Sequence, residues 1–165
     1  MQGAVIERPL SHFAGVKVTA AFDDLGEMVS QARKTLLARQ FEIGRIKDRY
    51  RQLGVTLPQE QEQSEDHITT YIGFEVEEQG EVPADLVRID LQPGKYAQFM
   101  WKGSLESEDF EAFYPGIFNW FREQGMAPST LAPWIEVYGD DHDWEDRSNP
   151  ENRLEALIPL AGSPY

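Results

Sequence analysis

Leu131-Ala-Pro-Trp-Ile-Glu-Val-Tyr138 is a short apolar run carrying one carboxylate, Glu136, between aromatic residues. In a strand, side chains alternate between faces, so Trp134, Glu136 and Tyr138 point one way while Ile135 and Val137 point the other. One face is therefore plain core. The other offers two rings around a single anionic group, the composition of a site for a flat or cationic organic molecule.

Working outward from that strand, Ser107 is the expected N-cap of a preceding helix with Glu108, Asp109 and Glu111 at its dipole-favoured end and Gly125 as its C-cap. Phe110, Phe113 or Tyr114, Ile117, Phe118 and Phe121 make its apolar stripe, Pro115 and Gly116 interrupt it, and Trp120 lies at the stripe edge, where a residue can border a cleft. Lys95 to Gly103 is a strand with Ala97, Phe99 and Trp101 on one side. Downstream, Gly139 to Pro150 is an acidic hairpin loop; Asp140, Asp141, His142 and Asp143 are hard ligands for a divalent cation but lack EF-hand spacing, and no metal site is assigned. Asn152 to Leu160 is the final strand.

In the N-terminal half, residues 4 to 20 form a strand segment, with Pro9 marking an edge or bend and Gly15 a bulge. Asp24-Leu-Gly-Glu27 predicts a capping box, and Leu25, Met28, Val29, Ala32 and Leu36 form the stripe of the helix that follows. Periodicity fades from Gln40 to Gln63, and Thr56 to Asp66 reads as a solvated acidic loop. His67 to Val76 alternates again, with Tyr71 and Glu75 sharing the face opposite Ile72 and Phe74; Asp85 to Leu91 is its expected antiparallel partner.

The 165 residues suit one domain, without cysteine for disulfides, thiolate chemistry or Cys-ligated metals, and with no leader or spanning segment, which makes the cytoplasm the expected location. The net charge of −14 repels a phosphate backbone and attracts cations. Direct nucleic-acid binding and membrane insertion are accordingly not expected.

The order strand, helix, strand, strand occurs twice, predicting an α+β fold of duplicated βαββ halves. Phe13-Ala-Gly-Val-Lys-Val is echoed by Tyr96-Ala-Gln-Phe-Met-Trp, and Ile72-Gly-Phe-Glu-Val by Trp134-Ile-Glu-Val-Tyr. The chain resembles the GyrI-like effector-binding domains, which also form the ligand-binding part of AraC-type and MerR-type multidrug-responsive bacterial regulators. The resemblance is carried by Tyr71-Ile-Gly73, Gln92 to Phe99 with Lys102-Gly103, Ile117 with Trp120, Trp134 to Tyr138 and Leu157 to Leu160. It implies an SHS2-type duplicated antiparallel sheet with two helices on one face and a ligand groove on the other. Glu136, Trp134, Tyr138, Tyr71, Glu75, Trp101 and Trp120 are the candidate groove residues, and no cofactor is expected. With no helix-turn-helix upstream, residues 1–165 are expected to form a stand-alone domain without a DNA-binding module.

Three functions follow as expectations. The first is binding of lipophilic, cationic or aromatic small molecules around a central Glu, for xenobiotic sensing or sequestration. Relatives similar to this chain also suggest a hydrolase of reactive cyclopropane-type compounds, with Glu136 as general base and Tyr71 or Tyr138 as hydrogen-bond donor. A protein-interaction module, such as a DNA gyrase inhibitor, is the third, its partner a regulator or gyrase.

Overall fold

The computed structural model describes residues 1–61 and 66–162. Its strands are β1 (Gly3–Arg8), β2 (Ser11–Ala21), β3 (Gln52–Thr56), β4 (His67–Val76), β5 (Val87–Leu91), β6 (Gly94–Lys102), β7 (Trp134–Tyr138) and β8 (Arg153–Pro159). Four helices accompany them: α1 (Leu25–Ala38), α2 (Pro58–Gln61), α3 (Glu108–Glu111) and α4 (Phe113–Glu123). All eight strands form one antiparallel sheet in the order β1-β6-β8-β7-β3-β4-β2-β5. The fold is α+β.

The duplication is visible in this order. The halves β2-α1-β3-β4 and β6-α3/α4-β7-β8 meet where β3 pairs with β7, and each half receives its outermost strand, β5 or β1, from the other side of the repeat. Only two residues separate β1 from β2, and two separate β5 from β6. Such links reach about 11 Å, whereas six strand spacings in a flat sheet measure about 29 Å. The sheet must therefore curl until its edges approach, closing its inner face around Phe13, Leu53, Val55, Tyr71, Leu91, Tyr96, Ile135, Val137 and Leu157.

The helices cover the outer face. Leu25, Val29, Ala32 and Leu36 of α1 pack on Ala14, Val18, Ile72, Phe74 and Val76, while Phe113, Ile117, Trp120 and Phe121 pack on Ala97, Phe99, Leu154, Ala156 and Ile158. Met28, expected in the α1 stripe, is instead exposed. The predicted capping box does not form: Asp24 has near-helical dihedrals and makes no side-chain cap, because a 3-10 turn over Phe22–Asp24 already leads the chain into the helix.

The second helix breaks, but not at proline. It divides at Ala112, and Pro115 then sits in the first turn of α4, where its missing N–H costs nothing. Ser107 caps α3 as expected, its hydroxyl accepting from the Phe110 amide at 3.1 Å. Ser107→Ala is expected to lower the unfolding free energy by about 1 kcal/mol in urea denaturation. Gly125, at φ 67°, ends α4 in the left-handed conformation.

Two expectations for the first half are corrected. Gln52–Thr56 is a strand that periodicity did not reveal, and it, rather than Ile72–Val76 as the internal comparison had it, is the first-half counterpart of β7, with which it also pairs. Residues 85–91 are not the partner of β4; β5 pairs with β2, since β4 already lies between β3 and β2. The acidic segment read as a loop begins with α2, and its residues 62–65 lie outside the described residues. Gly15 marks a close approach rather than a bulge, being in regular register with Gly73. No helix among the described residues is long and apolar enough to cross a membrane.

Candidate functional site

The pairing registers place Val16, Ile72, Gly54, Glu136, Ala156, Phe99 and Gly3 in one row across the sheet. Glu136 is the only charged member of this row, and its two neighbours, Gly54 and Ala156, are the small residues that leave space beside it. Antiparallel neighbours lie about 5 Å apart, so larger side chains there would cover the carboxylate.

Above this row, the curled sheet and the two helical layers leave a cleft of about 940 Å³. Gly54, Thr56, Thr70 and Ile72 contribute to its floor. Phe22, Leu25 and Val29 line the α1 side, and Phe110, Tyr114 and Pro115 the opposite side. Tyr138, His142, Trp144 and Arg147 complete it. The groove thus lies on the helix-bearing face, between the helices, and not on the face opposite them as the resemblance implied. The opposite face is unavailable because curling fills it with the inner core.

Burial of Glu136 pushes its carboxyl pKa up, against the hydrogen bond from Tyr138, the nearby Tyr114 hydroxyl and the positive charge of Arg147. The Tyr138 hydroxyl donates to Oε2 at 2.5 Å. Tyr114 is directed at the same carboxylate, but its hydroxyl lies outside hydrogen-bond geometry and has no partner. Both tyrosines titrate well above the usual phenol range, first because of burial and then because of the Glu136 charge. The carboxylate forms no ion pair among the described residues, and part of its side chain stays open to the cleft.

One end of the cleft is aromatic. The rings of Tyr138, His142 and Trp144 meet pairwise at 4.8 to 4.9 Å between centroids. Burial holds His142 below the ordinary histidine pKa and therefore neutral at pH 7. The buried side chain of Asn152 organises this loop: its Oδ1 accepts from the Asp143 amide at 2.6 Å, and its Nδ2 donates to the Asp146 carbonyl at 3.0 Å. Asp143 accepts from the amides of Glu145 and Asp146, and Asp141 pairs with Arg153 at 3.3 Å. These loop carboxylates thus stabilise loop structure; no cluster of three potential metal ligands occurs among the described residues.

Of the residues proposed from sequence, Glu136 and Tyr138 meet in the cleft. Tyr71 borders it, but its ring joins the inner core and its hydroxyl donates to Glu60 at 2.8 Å; burial and that carboxylate push its pKa up to about 12. Glu75 lies on the same face as Tyr71 and is 3.7 Å from Lys47. Glu75 is absent from the lining because the strand matching β7 is β3, so the repeat sets Gly54, not Glu75, opposite Glu136. Trp101 packs on Phe110 and Phe113, Trp120 edge-on to Phe99, and Trp134 against Phe118, all in the core beneath α4. The expected Glu136–Tyr71 catalytic pair is therefore not assembled, and Tyr138 is the tyrosine bonded to Glu136.

Periodicity missed Gly54, Tyr114, His142, Trp144 and Arg147. A tryptophan embedded in the acidic run 140–146 was the available signal, since a solvated loop has no use for so large an apolar ring.

A duplicated antiparallel sheet with a recessed, aromatic-lined cleft between its helices defines a small-molecule binding domain. The chain belongs to the GyrI-like small molecule binding domain family, matching it over residues 1–161. It is 26% identical over 162 residues to the transcriptional regulator BrlR of Pseudomonas aeruginosa, covering 97% of this chain and 56% of BrlR. The chain thus spans little more than half the length of that curated relative. Among solved structures, it superposes on SAV2435 bound to tetraphenylphosphonium with a TM-score of 0.70 at 15% identity, covering 98% of this chain and 95% of the other. It also superposes on EcmrR in its DNA complex with a TM-score of 0.73 at 13% identity, over 96% and 57% of the respective chains. At these identities the structural likeness establishes the shared fold.

Proposed function

We propose that this domain binds lipophilic organic cations in the cleft between α1 and the α3/α4 layer, with Glu136 as their counter-charge, for sensing or sequestering xenobiotics. The observation that carries this reading is a desolvated carboxylate with no ion-pair partner among the described residues, at the centre of an otherwise apolar cross-sheet row. Such a group is costly to the fold unless a cation compensates it. Asp23, Glu27 and Glu111 also line the cleft, so with Glu136 its four carboxylates outnumber the single Arg147 by three. Aromatic faces would add about 0.5–2 kcal/mol each through cation–π attraction.

Tetraphenylphosphonium and tetraphenylborate have the same shape and opposite charge, and so isolate this electrostatic selectivity. Calorimetric titration is expected to show at least about 100-fold tighter binding of the phosphonium, because placing an anion beside the carboxylates costs several kcal/mol. Equal affinity, or preference for the borate, would rule out the assignment.

A further inference from the structure

The cleft contains one feature that a simple cation does not use. Arg147 lies along it, yet the guanidinium is paired with neither Glu136 nor any other carboxylate among the described residues. Its placement is built into the loop: the Arg147 carbonyl accepts from the Leu105 amide at 2.7 Å and from Asn152 Nδ2 at 3.4 Å. At the start of α1, Gly26 provides clearance, since a Cβ there would stand 3.1 Å from Nη1 of Arg147. The neighbouring Trp144 ring lines the same cleft, and its buried indole N–H has no partner. The cleft therefore carries a recessed anion and, on an anchored loop at its exposed edge, a cation that form no ion pair with each other, together with an unused donor.

We propose that the preferred ligands of this cleft are zwitterionic amphiphiles, with a cationic aromatic body against Glu136 and a carboxylate or similar anionic arm against Arg147. This rests on the cation-binding reading above and narrows its ligand class. Opposite charges held apart in a partly desolvated cleft are both compensated by a molecule that carries the complementary pair. The planar guanidinium suits a carboxylate, which it engages with two parallel hydrogen bonds. A monocation leaves Arg147 to water.

The test uses two triphenylphosphonium probes of matched length, one with a 4-carboxybutyl arm and one with an n-pentyl arm. The carboxylate probe is expected to bind the wild-type protein about tenfold more tightly, the gain of one charge-assisted contact. In Arg147→Gln this preference should vanish, the ratio of the two affinities falling from about tenfold to about one, with the pentyl probe bound at least as tightly as by wild type because a like charge has left the cleft. Arg147 is an exposed loop side chain, and an unchanged thermal transition will verify that the variant is folded. Equal or weaker wild-type binding of the carboxylate probe, with the pentyl probe bound, overturns the zwitterion proposal and leaves the cation site standing. A carboxylate preference that survives in Arg147→Gln overturns the role of Arg147. Failure of both probes to bind overturns both readings.

Discussion

Glu136→Gln is expected to weaken tetraphenylphosphonium binding by about 30- to 100-fold while leaving the fold intact or more stable. The affinity loss corresponds to about 2–3 kcal/mol, the lower part of the range for removing one member of a desolvated charge pair, because the aromatic contacts remain. The stability gain has the opposite origin. Desolvation raises the carboxyl pKa of Glu136 in the folded protein. Between the unfolded-state pKa and that raised value, the folded chain holds a proton that the unfolded chain has released. This contribution to stability is thus fully present below the unfolded-state pKa and is lost as pH rises through the folded one. Glutamine has no such dependence. The unfolding free energy of the variant minus that of the wild type should consequently grow from acid pH upward and level off above the folded pKa of Glu136. A difference that stays flat with pH, measured by urea denaturation without ligand, would show that Glu136 is well solvated in the folded state. Cation affinity should follow the same titration in reverse, rising with pH as Glu136 ionises.

The sequence revealed much of the fold for a physical reason. Strands β2, β4, β6, β7 and β8 carry alternating apolar residues, and α1 and α4 carry apolar stripes, because each is packed against a layer. Strand β3 escaped notice because Gln52-Leu-Gly-Val-Thr56 is five residues long and contains a glycine. That omission displaced the repeat by one strand, and with it the alignment that put Tyr71 and Glu75 beside Glu136. The curling was also hidden: an alternating pattern gives two faces, but not which one will close on itself. Glu136 and Tyr138 could be read as a pair from their two-residue spacing. Tyr114, Trp144 and Arg147 could not, since their convergence depends on a helix break at Ala112 and on a loop organised by Asn152.

Two glycine substitutions separate what the sheet needs for folding from what the cleft needs for binding. Gly15→Ala is expected to cost about 3 kcal/mol or more, among the larger effects of a single methyl group. Gly15 and Gly73 face each other across β2 and β4, and a Cβ on Gly15 would stand 2.2 Å from the Ile72 carbonyl oxygen and 2.7 Å from the Gly73 Cα. Backbone cannot rotate aside as a side chain can, so the two strands must separate. Ile72 pairs with Gly54, which pairs with Glu136, so this displacement reaches the cleft floor and should lower cation affinity together with stability. Gly54→Ala behaves differently. Its Cβ would lie 3.6 Å from the Tyr138 ring and 3.7 Å from Glu136 Cβ, both ordinary contacts. Stability should change by less than about 1 kcal/mol, because removing a strand glycine restores conformational restraint to the unfolded chain. A bulkier Gly54→Leu would then occupy the space beside the carboxylate and reduce tetraphenylphosphonium binding without a comparable loss of stability. If urea denaturation finds Gly15→Ala as stable as Gly54→Ala, the β2–β4 contact is not the constraint inferred from its geometry; if Gly54→Leu binds the cation like wild type, the ligand does not reach the floor on which Glu136 stands.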